Sequence, residues 1–164
     1  MRSRTRLASL LLLTSTIGCD QVSKEIASRL LAGRADIAVL RGALRLRLAE
    51  NRGAFLSGGR ELPEAARFAV FVVIVGGALL VGVGILLSSK RLSMLSRAGL
   101  ALLLGGGLGN LADRLVRGQV IDFVMLRIGP LQTGVFNLAD VAIIAGAILL
   151  LWSRQPSPSA PLRG

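Results

Sequence analysis

The fold class this sequence predicts is an all-α membrane protein, a bundle of four transmembrane helices. Three observations predict it. Hydrophobic residues make up 52% of the 164, with one Trp and no Tyr. Mean hydropathy is +0.66, a balance that suits lipid better than a soluble core. The apolar residues gather in four runs flanked by basic residues, and a helix of about 20 apolar residues crosses roughly 30 Å of hydrocarbon.

The first span is expected over residues 7–31, behind the basic MRSRTR. Its middle, TSTIGCDQVSK from Thr14 to Lys24, supports two readings. A basic flank, an apolar run and a small-residue IGC also describe a lipoprotein signal, cut so that Cys19 is lipidated. Against cleavage, Thr16 stands where such sites usually carry Leu. Beyond Asp20, moreover, Val22, Ile26, Leu30 and Leu31 continue at helical spacing, where a mature lipoprotein would begin a Ser- and Gly-rich tether. The expectation is one uncut helix carrying Asp20 and Lys24 at depth, with Cys19 a small buried residue.

In the next connection LRLRL, Leu44 to Leu48, alternates apolar and basic as a half-buried strand does. Pro63 suits the first turn of a helix, with Glu61 and Glu64 at its positive end. That helix leads into the second span, residues 68–87, which holds no charge. SSKRLSMLSR then has the small, apolar and basic residues of a solvated turn. The third span, 94–112, contains GGGLG, Gly105 to Gly109; without the Lys-Ser/Thr of a P-loop, it points to close helix packing. The fourth covers 135–152. Residues 153–164, SRQPSPSAPLRG, predict a disordered tail and leave residues 1–152 as a single domain.

Four spans place both termini on one side. Asp20, Lys24, Asn51, Asn110, Asp113, Arg114, Asp122, Asn137 and Asp140 all fall on the other. Arg2, Arg4, Arg6, Lys90, Arg91, Arg97 and Arg154 favour cytoplasmic termini. Arg34, Arg41, Arg45, Arg47, Arg52 and Arg60 in the first connection argue the reverse by plain count, but they lie in a long segment that reads as folded. The polar cluster is therefore expected to face outward. The net charge of +11 is nearly all arginine, with Lys only at 24 and 90. Lacking interleaved aromatics, it points to anionic lipid headgroups and away from nucleic acid. One cysteine excludes an internal disulfide. The absence of histidine excludes Ser-His and Cys-His catalysis, the HExxH zinc motif and a histidine pH switch.

Charges at membrane depth cost about 2.5–3.5 kcal/mol each and so need partners or a purpose. Asp20 and Lys24 are four apart and share a helix face. Asn110, Asp113 and Arg114 form a second set, and Asn137 with Asp140 a third. Polar glue between helices is the plain reading, and for Asp113 with Arg114 a structural ion pair or turn clamp is the first expectation. Asp122 in VIDFV and Asp140 in FNLADVAI have no basic residue within four positions. Three readings stay open for them: polar glue, an ion or proton pathway, or a carboxylate pair. In such a pair one group holds a proton and the other acts as base. It can activate water and protonate a leaving amine without histidine or metal.

Taken together, the motifs resemble the lipoprotein signal peptidases (signal peptidase II), which are membrane aspartyl peptidases. DQVSK is similar to the family's DQxSK/DQxTK, NRGA to NxGA, GGGLGNLADR to GGxxGNxxDR, VIDF to VxDF and FNLAD to FNxAD. Five motifs in order, spanning Asp20 to Asp140, are highly specific. The resemblance implies Asp122 and Asp140 as catalytic dyad, with Asp20, Lys24, Asn51, Gly53, Asn110, Arg114 and Asn137 as supporting and substrate-contacting residues. It implies a small extracytoplasmic β-rich cradle between the first two helices, here residues 36–60, in accord with LRLRL. Its substrate would be a prolipoprotein already diacylglyceryl-modified, cut on the amino side of the lipidated cysteine. The expected setting is the bacterial inner membrane, with phospholipids as neighbours, a monomeric enzyme, no metal and no cofactor. The alternative is a small ion or proton carrier, which would want polar residues through the depth of spans two and four. Two departures from the pattern are Phe55, which follows Ala54 at once, and Gly107, where Ala is common.

Overall fold

A computed structural model describes residues 2–53 and 61–153. Phe55, the rest of the first connection to residue 60, and the tail beyond Ser153 lie outside the described residues. Helix α1 (Arg2–Leu31) is followed by strands β1 (Ile37–Val39) and β2 (Leu44–Asn51). Helix α2 (Glu64–Ser88) contains a π-helical stretch, Ala69–Ile74. Helix α3 (Met94–Arg117), strands β3 (Val120–Ile128) and β4 (Leu131–Gln132), and helix α4 (Leu138–Trp152) complete the chain.

Helix ends follow local chemistry. Ser93 caps α3 by accepting from the Ser96 N–H at 3.0 Å, and Gly118, at φ 71, ends it in the left-handed conformation. Asn137 and Asp140 form a reciprocal capping box that starts α4. Helix α2 is long and apolar enough to cross a membrane. Val73, Ile74, Leu80 and Val81 on α2, and Ile144, Ile148 and Leu151 on α4, are exposed.

Helix α3 is the hub, and its glycines explain how. A Cβ on Gly105 would meet Thr16 of α1 at 2.8 Å, one on Gly107 would meet Leu79 of α2 at 2.6 Å, and one on Gly106 would collide with the Ala139 carbonyl of α4. Three consecutive small residues thus let three helices approach, as close packing expects. Leu13, Leu79, Leu86, Ala101 and Leu104 form the apolar core below them.

The four strands form one antiparallel sheet in the order β1-β2-β3-β4. The sheet is therefore not built by the first connection alone, as the expected cradle over residues 36–60 would be: the segment after α3 supplies β3 and β4. VIDFV has too few polar residues to show the alternation that marked LRLRL, so period alone concealed it. Cys19 also departs from expectation, being exposed on an unbroken α1, because the residue beside it, Asp20, takes the inward face.

Candidate active site

Where the sheet meets the helices, a polar layer joins α1, α3, α4 and β3. Lys24 is its centre and is fully buried. Its ammonium donates to Asp20 Oδ2 at 2.7 Å and to Asn110 Oδ1 at 2.9 Å, and pairs with Asp113 Oδ2 at 2.7 Å. Two of these contacts are hydrogen bonds and the third is an ion pair, Asp113 Oδ2 having no hydrogen-bond donor among the described residues. Asp20 Oδ1 accepts from the Ala139 N–H at 2.9 Å, placing negative charge at the α4 N-terminus. Asp113 Oδ1 accepts from Arg117 at 2.8 Å. The expected Asp113–Arg114 pair is thus replaced by Asp113 with Lys24 and Arg117, because consecutive helical residues face different directions.

Arg114 turns instead toward the sheet. It donates to the Gly53 carbonyl at 2.6 Å and the Asn110 carbonyl at 3.2 Å, and lies 5.1 Å from the centre of the Phe71 ring. Gly53 N–H donates to Asn51 Oδ1 at 3.0 Å, and Asn51 Nδ2 donates to Asp122 Oδ2 at 3.0 Å. That last contact depends on a β-bulge: Leu46 pairs with Val124 but Ala49 with Asp122, one extra residue on β2. Without the extra residue Asn51 would point to the opposite face of the sheet.

Asp122 and Asp140 border one groove of about 400 Å³, with Asn51, Asn110 and Arg114. Among the described residues no hydrogen bond joins the two carboxylates directly, and neither makes a salt bridge. Asn137 links them: its Nδ2 donates to Asp122 Oδ1 at 2.7 Å and its backbone N–H to Asp140 Oδ2 at 3.2 Å. Asn110 Nδ2 donates to Asp140 Oδ1 at 2.9 Å. Burial pushes the Asp122 carboxyl up to about 6; the Asn51 bond opposes the rise and the charge of Asp140 adds to it. From this end the groove continues along Val141, Ile144, Ala145 and Ile148, an apolar stripe at helical spacing on α4.

The signal peptidase (SPase) II family profile matches residues 12–154. The chain belongs to the signal peptidase II family. A lipoprotein signal peptidase of Pelotomaculum thermopropionicum is 40% identical over 136 residues, 82% of this chain and 82% of that protein. One from Azoarcus sp. is 34% identical over 147 residues, 88% and 81% of the two chains. Another, from Moorella thermoacetica, is 52% identical over 83 residues, 49% of this chain and 53% of that protein, so there the match spans about half the relative's length. Two solved structures of bacterial membrane enzymes share the fold. One has TM-score 0.79 at 24% identity, over 92% of this chain and 94% of the other. The second has TM-score 0.77 at 23% identity, over 93% and 94%.

The structure brings all nine residues expected from the signal peptidase II motifs into one connected layer: Asp20, Lys24, Asn51, Gly53, Asn110, Arg114, Asp122, Asn137 and Asp140. Sequence reasoning left three contributors outside the site. Gln21 donates to the Gly109 carbonyl at 3.1 Å, and its place inside DQVSK was a signal. Asp113 stands three residues after Asn110, a spacing that shares a helix face. Phe71 carried no signal, since one aromatic in an apolar span is unmarked.

Proposed function

We propose that this chain removes signal peptides from diacylglyceryl-modified prolipoproteins, with Asp122 and Asp140 as the catalytic pair. The observation that carries the proposal is the shared groove. It borders two carboxylates, neither salt-bridged among the described residues, one with its carboxyl raised to about 6. Carboxyls poised near working pH are what general acid and base catalysis requires.

In this mechanism one aspartate is ionised, the other is protonated, and a water lies between them. The ionised carboxylate takes a proton from water as its oxygen attacks the scissile carbonyl. The protonated carboxyl then gives its proton to the cysteine amine as the C–N bond breaks and the carbonyl re-forms. The pair ends with its proton on the opposite aspartate, ready for the reverse assignment. Asn137 and Asn110 hold the carboxylates in place, and Arg114 ties the loop at Gly53 to the same layer. The stripe from Val141 to Ile148 would take the apolar signal helix or an acyl chain.

The placement belongs to the same proposal: four spans in the bacterial inner membrane, the sheet and carboxylates toward the outer face, and both termini cytoplasmic. Exposed apolar side chains along α2 and α4 support it. The carrier reading is not favoured, because α2 and α4 offer no polar residues in depth beyond Asp140.

The test is cleavage of a purified diacylglyceryl-modified prolipoprotein, followed by gel shift, for wild type, Asp122→Asn and Asp140→Asn. The expected result is cleavage by wild type alone and none of the unmodified precursor. Full activity in either folded variant would remove the pair from the mechanism.

A further inference from the structure

The far end of the sheet holds a second recess, of about 470 Å³, between the turn Leu40–Gly42 and the end of β3. Arg41, Arg45 and Arg127 line it with Leu40 and Ile128, and among the described residues no acidic side chain does. Arg45 stands opposite Met125, two residues before Arg127, so Arg45 and Arg127 are diagonal neighbours on one face. Like charges gathered in this way repel, and a bound anion would relieve them. The Arg45 Nε is buried and has no hydrogen-bond partner among the described residues, an unusual state for a charged donor. Arg127 Nε donates to the Gly129 carbonyl at 3.3 Å, which orients the guanidinium, and among the described residues its outer N–H groups make no hydrogen bond. Arg41 enters from a turn in which it and Leu40 both hold positive φ, 55 and 49, a conformation that non-glycine residues adopt at a cost.

Guanidinium groups match phosphate oxygens in a two-point geometry. A free phosphate would need only the arginines. Here Leu40, Ile128 and Leu131 beside them are 72%, 76% and 74% exposed, and such a mixed basic and apolar tip suits a membrane interface. We propose that this recess binds the phosphate of an anionic phospholipid headgroup, with the three apolar side chains entering the acyl boundary. The bound lipid then seats the sheet on the membrane beside the groove. The inference rests on the outward membrane placement proposed above, and does not involve the aspartates.

The test is native mass spectrometry of the full chain in detergent, titrated with phosphatidylglycerol, with phosphatidylcholine or with inorganic phosphate as competitor. Wild type is expected to retain one phosphatidylglycerol more than Arg45→Gln/Arg127→Gln, whose affinity should be about 25-fold lower, a factor of about five per arginine. Arg6→Gln/Lys90→Gln, at the other end of the helices, is expected to match wild type. Arg45→Lys/Arg127→Lys keeps the charge and should retain part of the binding, which guards against a misfolded glutamine variant.

Equal retention by wild type and both arginine variants would overturn the site, as would equal retention of phosphatidylcholine. Displacement by millimolar inorganic phosphate would assign the recess to free phosphate and overturn the lipid. Asp122→Asn is expected to bind lipid as wild type does. If wild type fails to cleave prolipoprotein while lipid retention still follows the arginines, only the peptidase reading falls. If it cleaves and retention ignores them, only this inference falls.

Discussion

Two pairs of carboxylates lie in the same polar layer, and their surroundings give them opposite characters. Asp20 and Asp113 share the Lys24 ammonium, are closed from solvent and have their oxygens engaged. Among the described residues Asp122 and Asp140 accept hydrogen bonds from amide groups alone, and they open onto a groove. Lys24 balances the charge of the first pair where it is buried, whereas neutral amides of Asn51, Asn110 and Asn137 hold the second pair, and burial raises the Asp122 carboxyl. The difference teaches that proximity of acids is not enough: the placement of a single lysine separates a fastened pair from the pair proposed to be reactive.

The strongest way to break this contrast is at the reactive pair. Asp122→Asn and Asp140→Asn are each expected to lower cleavage by about a thousandfold or more, within the span ascribed to positioned acids and bases, while remaining folded. A loss of folding instead, seen by thermal melting in detergent, would make the pair structural.

The converse change is Lys24→Met. It leaves Asp20 and Asp113 buried without their shared cation, and removing one partner of a buried ion pair costs about 3–5 kcal/mol. Thermal unfolding should show a large drop in midpoint, and an unchanged midpoint would refute the fastening role.

The pH dependence sharpens the same point. The Asp122 carboxyl sits at about 6 in the folded protein against an ordinary 3.8. Between roughly pH 4 and 6 the folded chain therefore holds a proton that the unfolded chain lacks, and stability falls as pH rises through that window, by about 3 kcal/mol at most. Asp122→Asn should flatten this part of the stability profile. If the pair must hold one proton, kcat/KM falls as pH rises past about 6. Asn51→Leu removes a hydrogen bond to the ionised form and should move that limb to higher pH. A limb unmoved in Asn51→Leu would detach it from Asp122.

Smaller effects are expected at the glycines. A Cβ on Gly109 would meet Asp20 Oδ2 at 2.6 Å, whereas one on Gly107 meets only the tip of Leu79. Gly109→Ala should cost about 1–3 kcal/mol, as overpacking does, and Gly107→Ala much less, a ranking that melting temperatures test. The smallest effect is at Cys19, exposed and outside the polar layer. Cys19→Ser should cleave as wild type does, and intact mass should show no acyl group on Cys19; an acylated, shortened chain would restore the lipoprotein-signal reading.

Much of the site was legible because its residues are costly where they stand. Asp20, Lys24 and Asp140 interrupt apolar runs, and such interruptions are visible without a fold. GGGLG was readable as a packing surface for a similar reason, since consecutive glycines weaken a helix unless neighbours approach it. The strand at Val120–Ile128 was not legible, because an apolar run buried on the sheet and beside the helices lacks the period-two pattern. Arg114 was placed correctly in the layer but with the wrong partner. Spacing tells which residues share a face and not which element that face meets.

From sequence alone follow the apolar helices, the family, and the set of polar residues that must find one another. These are local or compositional facts, set by spacing along one chain. Only the tertiary structure decided that Lys24 spends its charge on Asp20 and Asp113, that a bulge in β2 turns Asn51 toward Asp122, and that Asp122 and Asp140 open onto one groove. Each of those joins residues far apart in the chain, and their energies depend on burial and on which opposite charge is nearest, neither of which exists until the helices and the sheet have met.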